Sequence, residues 1–371
     1  MTRRETLFLL AGAAARAGTI SQTDLFVAGE GDYHTYRIPS LIRSKRGTLL
    51  TFCEGRKGGR GDSGDIDIVL RRSTDGGRTW RPAATIHDHG ADTIGNPCPV
   101  VDRKTGVIFL LLTMNAGHVT EKQIIDQSVA ETRRVLVSSS RDDGVTWTAP
   151  ADITGDVKDP SWTWYATGPG VGIQLRNGRM VIPCDHAAAG TKEFHSHCIF
   201  SDDGGRTWTR GEPTGEKVNE CQVVELRDGS LLLNMRSYHG KNRRAIARSR
   251  DGGRTWGEIS LDETLVEPVC QASLIRAGGV LLFSNPASRK RERMTVRVSR
   301  DEGRTWPQLL ELEPGPSAYS CLSPLGRGEF GCLYERGTES PYERITLARF
   351  RLSSVIPNPN TPAARDAAAA L

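Results

Sequence analysis

The chain has 371 residues, 37 % of them hydrophobic and 25 % charged, with 40 glycines and 19 prolines. A net charge of +5 is too small to argue for nucleic acid, and no block of like charge forms a polybasic arm. This composition fits many short strands joined by turns, at a length that repeat-built β folds commonly reach.

In residues 1–17 an Arg3–Arg4 pair precedes the apolar stretch Leu7–Ala15, and Ala15, Arg16 and Ala17 have the small-x-small spacing of a cleavage site. The segment resembles a twin-arginine export signal, so a soluble periplasmic or secreted protein is expected. It is too short to span a bilayer, and no later apolar run reaches spanning length. Eight cysteines are an even number, which an oxidising compartment would let pair. None forms a CxxC, and Cys53, Cys184, Cys198, Cys221, Cys270, Cys321 and Cys332 stand in or beside apolar runs. Buried free thiols are therefore expected.

From residue 35 onward the strands come in groups. Residues 37–43, 48–54 and 66–73 read as three strands, followed by the box STDGGRTW at 73–80. The pattern Ser-x-Asp-x-Gly-x-Thr-Trp returns at 140–147, 201–208, 249–256 and 299–306, with tryptophans 48 to 67 residues apart. Such a period calls for a repeat architecture. In each box Asp can accept from following backbone N–H groups, Gly supplies a positive φ, and Trp fills the gap between sheets, so the boxes are expected to be structural. Each unit reads as a four-stranded antiparallel meander, a blade of an all-β propeller. The last unit lacks a box and a clear fourth strand. Residues 23–29 are expected to supply that strand, giving six blades over 23–352 and a tail at 353–371.

The meander order places functional side chains. If the inner strand descends from the top face, the boxes fall at the bottom, and the starts of first strands, the ends of second strands and the loops after them share the top. Reading only those positions gives Arg37, Asn96, Glu220, Gln271 and Tyr319; then Glu54 with Arg56, Asp185 with His186, Arg236 and Glu335; then Asp62 and the cluster at 288–294. Charged groups at the axial ends of inner strands are costly unless paired or used on a ligand, and three arginines converging there suit an anion.

With YRIP at 36–39, the five boxes, NECQ at 219–222, AYS at 318–320 and LYE at 333–335, the chain resembles the exo-α-sialidases, over roughly residues 23–352. The resemblance implies a retaining glycosidase acting on terminal α-linked sialic acid of glycoconjugates. It implies an arginine triad of Arg37, Arg236 and Arg291 for the sugar carboxylate, with Arg293 as the nearby rival to Arg291. It makes Tyr319 the nucleophile, Glu220 its base and Asp62 the acid/base. A phenol suits this substrate, because a carboxylate nucleophile would be repelled by the carboxylate on the anomeric carbon. Glu335 is expected to orient Arg37, with Glu54 and Arg56 in support. Asn96, Glu121, Asp185 and Gln271 match places that touch the sugar's hydroxyls or acyl group. Trp162, Trp164 and Tyr165 are offered for stacking. Asp65 and Asp67 are confounders beside Asp62. His195 and His197 lack a third ligand at a suggestive spacing, so no metal and no cofactor is expected. Transfer to an acceptor or release as an anhydro sugar would use the same core residues. A propeller that only binds sialoglycans would not need Asp62, Glu220 and Tyr319 together.

Overall fold

The computed structural model describes residues 20–277 and 279–355; the expected export segment at 1–17 lies outside them. Helix among the described residues is limited to three single turns, Glu121–Ile125, Thr154–Val157 and Leu352–Val355. None is long and apolar enough to cross a membrane. All else that is regular is strand, paired antiparallel with one short exception.

Successive meanders account for the sheets. The first joins Thr35–Arg43, Leu49–Arg56 and Ile66–Ser73, with Ala84–His87 at its outer edge. The second runs Thr93–Val101, Ile108–Asn115, Arg134–Ser140 and Ala151–Asp152. In the third, Trp162–Thr167 and Ile173–Gln174 share the inner edge of Met180–Ala188, followed by Phe194–Ser201 and Thr209–Arg210. The fourth is Val218–Glu225, Leu231–Ser237, Arg243–Ser249 and Ser260–Val266. Ser273–Ala277, Val280–Pro286 and Glu292–Ser299 come next, and the long strand Gln308–Gly326 closes that meander with its first half. Its second half opens the following one, with Glu329–Arg336 and Arg344–Arg351. Ser21–Val27 lies antiparallel on Arg344–Arg351, two residues earlier than the 23–29 expected. The tail also begins later than expected: Val355 is buried among Leu312, Phe350 and their neighbours, because the last helical turn folds back onto the sheet.

Innermost strands touch one another in succession, and Thr35–Arg43 packs on both Thr93–Val101 and Gln308–Gly326. Apolar side chains fill the wedges between neighbouring sheets. The boxes hold the far ends together. In the first, Asp75 Oδ1 accepts from the N–H groups of Arg78 (2.9 Å) and Thr79 (3.0 Å), and Thr79 Oγ1 donates to Oδ2 (2.6 Å). Asp142, Asp203, Asp251 and Asp301 repeat this. Their tryptophans reach the preceding sheet, Trp147 against Phe52 and Trp208 against Phe109. Gly205 (φ +82°) leaves no room for a Cβ against the Phe109 ring, so glycine is required there twice over. All eight cysteines are buried and unpaired.

Candidate active site

At the end of the axis away from the boxes lies a cavity of about 360 Å³. Its key side chains stand where first strands break register. The shifts fall between Arg37 and Ser40, Gly95 and Cys98, Val218 and Cys221, and Ser317 and Ser320. Such bulges re-aim side chains and free backbone N–H groups that must find other partners. Ile38 (φ +61°) and Asn96 (φ +53°) are left-handed as a result. Carboxylates at the ends of second strands satisfy the freed groups. Glu335 accepts from Ile38 N–H (2.9 Å) and Tyr319 N–H (3.0 Å), and Glu54 accepts from Asn96 N–H (2.9 Å).

Tyr319 and Glu220, both buried, meet inside the cavity. Tyr319 Oη donates to Glu220 Oε1 at 2.5 Å, and Arg236 Nη1 donates to Glu220 Oε2 at 2.9 Å. Burial and the negative charge of Glu220 push the Tyr319 phenol well above its ordinary pKa, against the pull of Arg236 and Arg291, so the phenol keeps its proton at rest. Arg37 donates from Nε to Glu335 (2.8 Å) and lies 5.1 Å from the Tyr319 ring centre. Arg291 lies 5.6 Å from the same ring and donates to Tyr342 Oη at 2.6 Å. Three guanidiniums therefore flank one phenol. Arg293 points elsewhere: it is bonded to Glu311 at 3.0 Å, with its side chain 59 % exposed. Strand alternation would have put both arginines on one side, but Arg293 has φ +62° at a bulge, which reverses the parity.

Asp62 stands at the cavity mouth, its side chain 63 % exposed, 2.8 Å from Arg56 Nη1 and 3.9 Å from Arg37 Nη1. Partial desolvation raises its pKa, but Arg56 and Arg37 outweigh it and hold the carboxyl below its ordinary value. Arg56 is itself fixed by Glu54 (2.6 Å) and donates to the carbonyls of Arg60 (2.6 Å) and Gly61 (2.9 Å), which ties down the glycine-rich loop. Asp65 and Asp67 are drawn away by Lys57, at 2.9 and 3.0 Å. With Asp88 they form an acidic cluster that the Lys57 ammonium already fills.

Asn96, Glu121 and Asp185 also line the cavity. Burial raises the Glu121 pKa, while burial and the charges of Glu220 and Glu121 raise that of Asp185 well above its ordinary value. Asp185 Oδ1 accepts from Asn219 Nδ2 at 3.0 Å. Arg133, Tyr238 and Tyr342 also line the cavity and were not singled out from the sequence. Arg133 is buried over Trp164, donates to Asn96 Oδ1 (2.6 Å) and Asn115 Oδ1 (2.6 Å), and has its pKa lowered to about 10 by desolvation. Arg133 and Tyr342 sit in loops between second and third strands, and Tyr238 follows a second strand. The rule that found Asp62 and Arg236 would have found them too.

Gln271 does not reach the cavity. It is buried, and both atoms of its amide are engaged with backbone. Of the three loop aromatics only Trp164 lines the cavity. Trp162 stacks on His186 at 3.6 Å, and Tyr165 is buried with its Oη 2.9 Å from His197 Nε2.

An all-β chain of antiparallel sheets with box turns at one end and an arginine-lined cavity at the other is matched over residues 47–332 by the model of the BNR repeat-like domain. It is 37 % identical to a sialidase of Micromonospora viridifaciens, over 91 % of this chain and 56 % of that protein. An exo-alpha-sialidase of Aspergillus fumigatus is 32 % identical over 93 % of this chain and 90 % of its own length. Among solved structures, the Hadza microbial sialidase Hz136 superposes with a TM-score of 0.83 at 35 % identity, covering 90 % of this chain and 69 % of that one. The chain belongs to the sialidase family, and spans little more than half of the Micromonospora relative.

Proposed function

We propose that this chain is an exo-α-sialidase, a retaining glycoside hydrolase that releases terminal α-linked sialic acid from glycoconjugates. The observation that carries the reading is the 2.5 Å hydrogen bond from Tyr319 to Glu220 amid Arg37, Arg236 and Arg291. Guanidiniums from three meanders fix both the position and the tilt of the sugar carboxylate. That carboxylate sits beside the anomeric carbon, where an anionic nucleophile would be repelled. The neutral phenol avoids the repulsion and becomes nucleophilic only as Glu220 takes its proton.

Asp62 faces solvent on the leaving-group side. In the free protein Arg56 and Arg37 keep it ionised. The arriving substrate carboxylate neutralises part of that positive field, which raises the Asp62 pKa toward that of a useful acid. Asp62 then protonates the departing oxygen while Tyr319 attacks. In the second half Asp62 removes a proton from water, which attacks the anomeric carbon, displaces Tyr319 and restores the phenol. Glu335 holds Arg37 in place, Arg56 holds Asp62, and Asn96, Glu121, Arg133 and Asp185 meet the remainder of the sugar. The architecture proposed for this work is a six-bladed propeller closed by Ser21–Val27, with export directed by residues 1–17.

The test is release of sialic acid from a fluorogenic α-sialoside by the protein and its Asp62→Ala, Glu220→Ala and Tyr319→Phe variants. Release by the parent and a fall of at least roughly 10²-fold in each variant are expected. Binding of sialic acid without release would make the chain a lectin, and neither binding nor release would refute the reading.

A further inference from the structure

Residues 168–170 meet several first strands at once. Ser40 Oγ donates to Gly170 O at 2.7 Å, and the side-chain amides of Gln222 and Gln271 both donate to Pro169 O, at 3.2 and 3.1 Å. These donors lie three residues after Arg37, two after Glu220 and on the strand entry beside Tyr319. Gln271 does more than the other two. Its Nε2 also donates to Ser320 O (3.0 Å), and its Oε1 accepts from Ser320 N–H (2.9 Å). A single side chain thus holds both backbone groups of residue 320 in the manner of a neighbouring strand.

The clamp sits where it is needed. The ladder between Gln308–Gly326 and Glu329–Arg336 breaks between Ser317 and Ser320, so Ala318 and Tyr319 have no regular partner. Tyr319 N–H is taken by Glu335, and the residue after it is taken by Gln271. Backbone in a bulge is defined only as well as the groups that replace its ladder bonds. Glu335 is shared with Arg37, whereas Gln271 touches neither the cavity nor any arginine.

We infer that Gln271 is a positioning residue for the nucleophile: by clamping Ser320 to Pro169 it sets how far the Tyr319 phenol stands from the anomeric carbon. The inference rests on the reading of Tyr319 as nucleophile. It predicts an effect on bond making rather than on sugar binding, because the guanidiniums are held by other partners.

The experiment compares Gln271→Met and Gln271→Glu with the parent on a fluorogenic α-sialoside, each also in a Tyr319→Phe background. A misplacement of about 1 Å costs up to roughly 10²-fold in rate, so kcat of Gln271→Met is expected to fall by about that factor. The inhibition constant of free sialic acid should change by less than about threefold, and in the Tyr319→Phe background the same substitution should change the residual rate by less than about twofold. Gln271→Glu keeps the acceptor for Ser320 N–H and loses both donations. Its kcat, relative to the parent, should recover toward acid pH as the carboxyl regains a donor proton, and this variant carries the test if Gln271→Met does not fold. An unchanged kcat, an equal fall in both backgrounds, or a loss of sialic acid binding parallel to kcat would overturn the inference. A parent that neither binds nor releases sialic acid overturns the functional reading itself, which separates the two failures.

Discussion

Replacing Glu335 should cost this protein more stability than any other single change at the cavity. The carboxylate is wholly buried; it pairs with Arg37 at 2.8 Å and accepts N–H groups from Ile38 and Tyr319. Glu335→Ala leaves a buried guanidinium whose nearest remaining carboxylate is Asp62 at 3.9 Å, and two backbone donors without partners. Breaking a buried pair from one side costs about 3–5 kcal/mol, and an unsatisfied buried donor about 1–3 kcal/mol. These terms overlap, since one relaxation or one water can relieve several of them, and about 5 kcal/mol is the expected total. With an unfolding entropy of about 2.1 cal/mol/K per residue over roughly 335 residues, that loss lowers Tm by about 7 °C. Glu335→Gln keeps the volume and one acceptor oxygen, so about half that shift is expected. Calorimetric melts of the parent and both variants measure it. A Glu335→Ala variant melting within about 2 °C of the parent would refute the account of this carboxylate as the shared anchor of two broken strands.

The buried Asp185 sets a pH dependence. Its pKa is raised in the folded state, so folding retains a proton that the unfolded chain gives up above about pH 4, and its contribution to stability falls as pH rises toward the folded pKa. Asp185→Asn should therefore raise Tm at pH 7 and leave it little changed at pH 4, as melts across that range will show. Arg56→Gln removes the nearer of the two positive charges holding Asp62 down, so the acid ionisation seen in kcat/KM against pH should move upward. At Gly95 a methyl group would collide with Glu54 Oε1 and push it off the Asn96 N–H; Gly95→Ala should lower both Tm and kcat/KM, while its unfolding stays cooperative in melts. In the last box, Asp301→Ala removes the acceptor of the Arg304 and Thr305 N–H groups; the loss should be about 1–2 kcal/mol in denaturant titrations, with kcat unchanged.

Much of this was legible in the residues because two periods overlap. The boxes mark one end of each meander, and the up-and-down order of its strands assigns the other end to Arg37, Glu54, Asp185, Glu220, Arg236, Tyr319 and Glu335. What alternation misreads is the bulge. Arg291 and Arg293 look equivalent by parity, and only the left-handed backbone at Arg293 separates them. The resemblance puts Gln271 at the sugar; its amide faces the neighbouring backbone instead, a choice that depends on where residues 168–170 run. Arg133 and Tyr342 obey the same rule, in loops without the glycine-rich stretch that marks the one carrying Asp62.

The pairing of Ser21–Val27 with Arg344–Arg351 also bears on how the chain is made. Ser21–Val27 leaves the ribosome more than 300 residues ahead of its partner, which at about 5–20 residues per second is a wait of roughly 15–60 s. During that interval residues 21–27 have no ladder, and when Arg344–Arg351 arrives it presents an open edge until the two ends meet. A second nascent chain can offer the same strand to that edge, so exchange between copies competes with pairing within each one. Slower synthesis or crowded ribosomes should favour the exchanged form, and the share of chains that pair within themselves is then decided by timing as much as by stability.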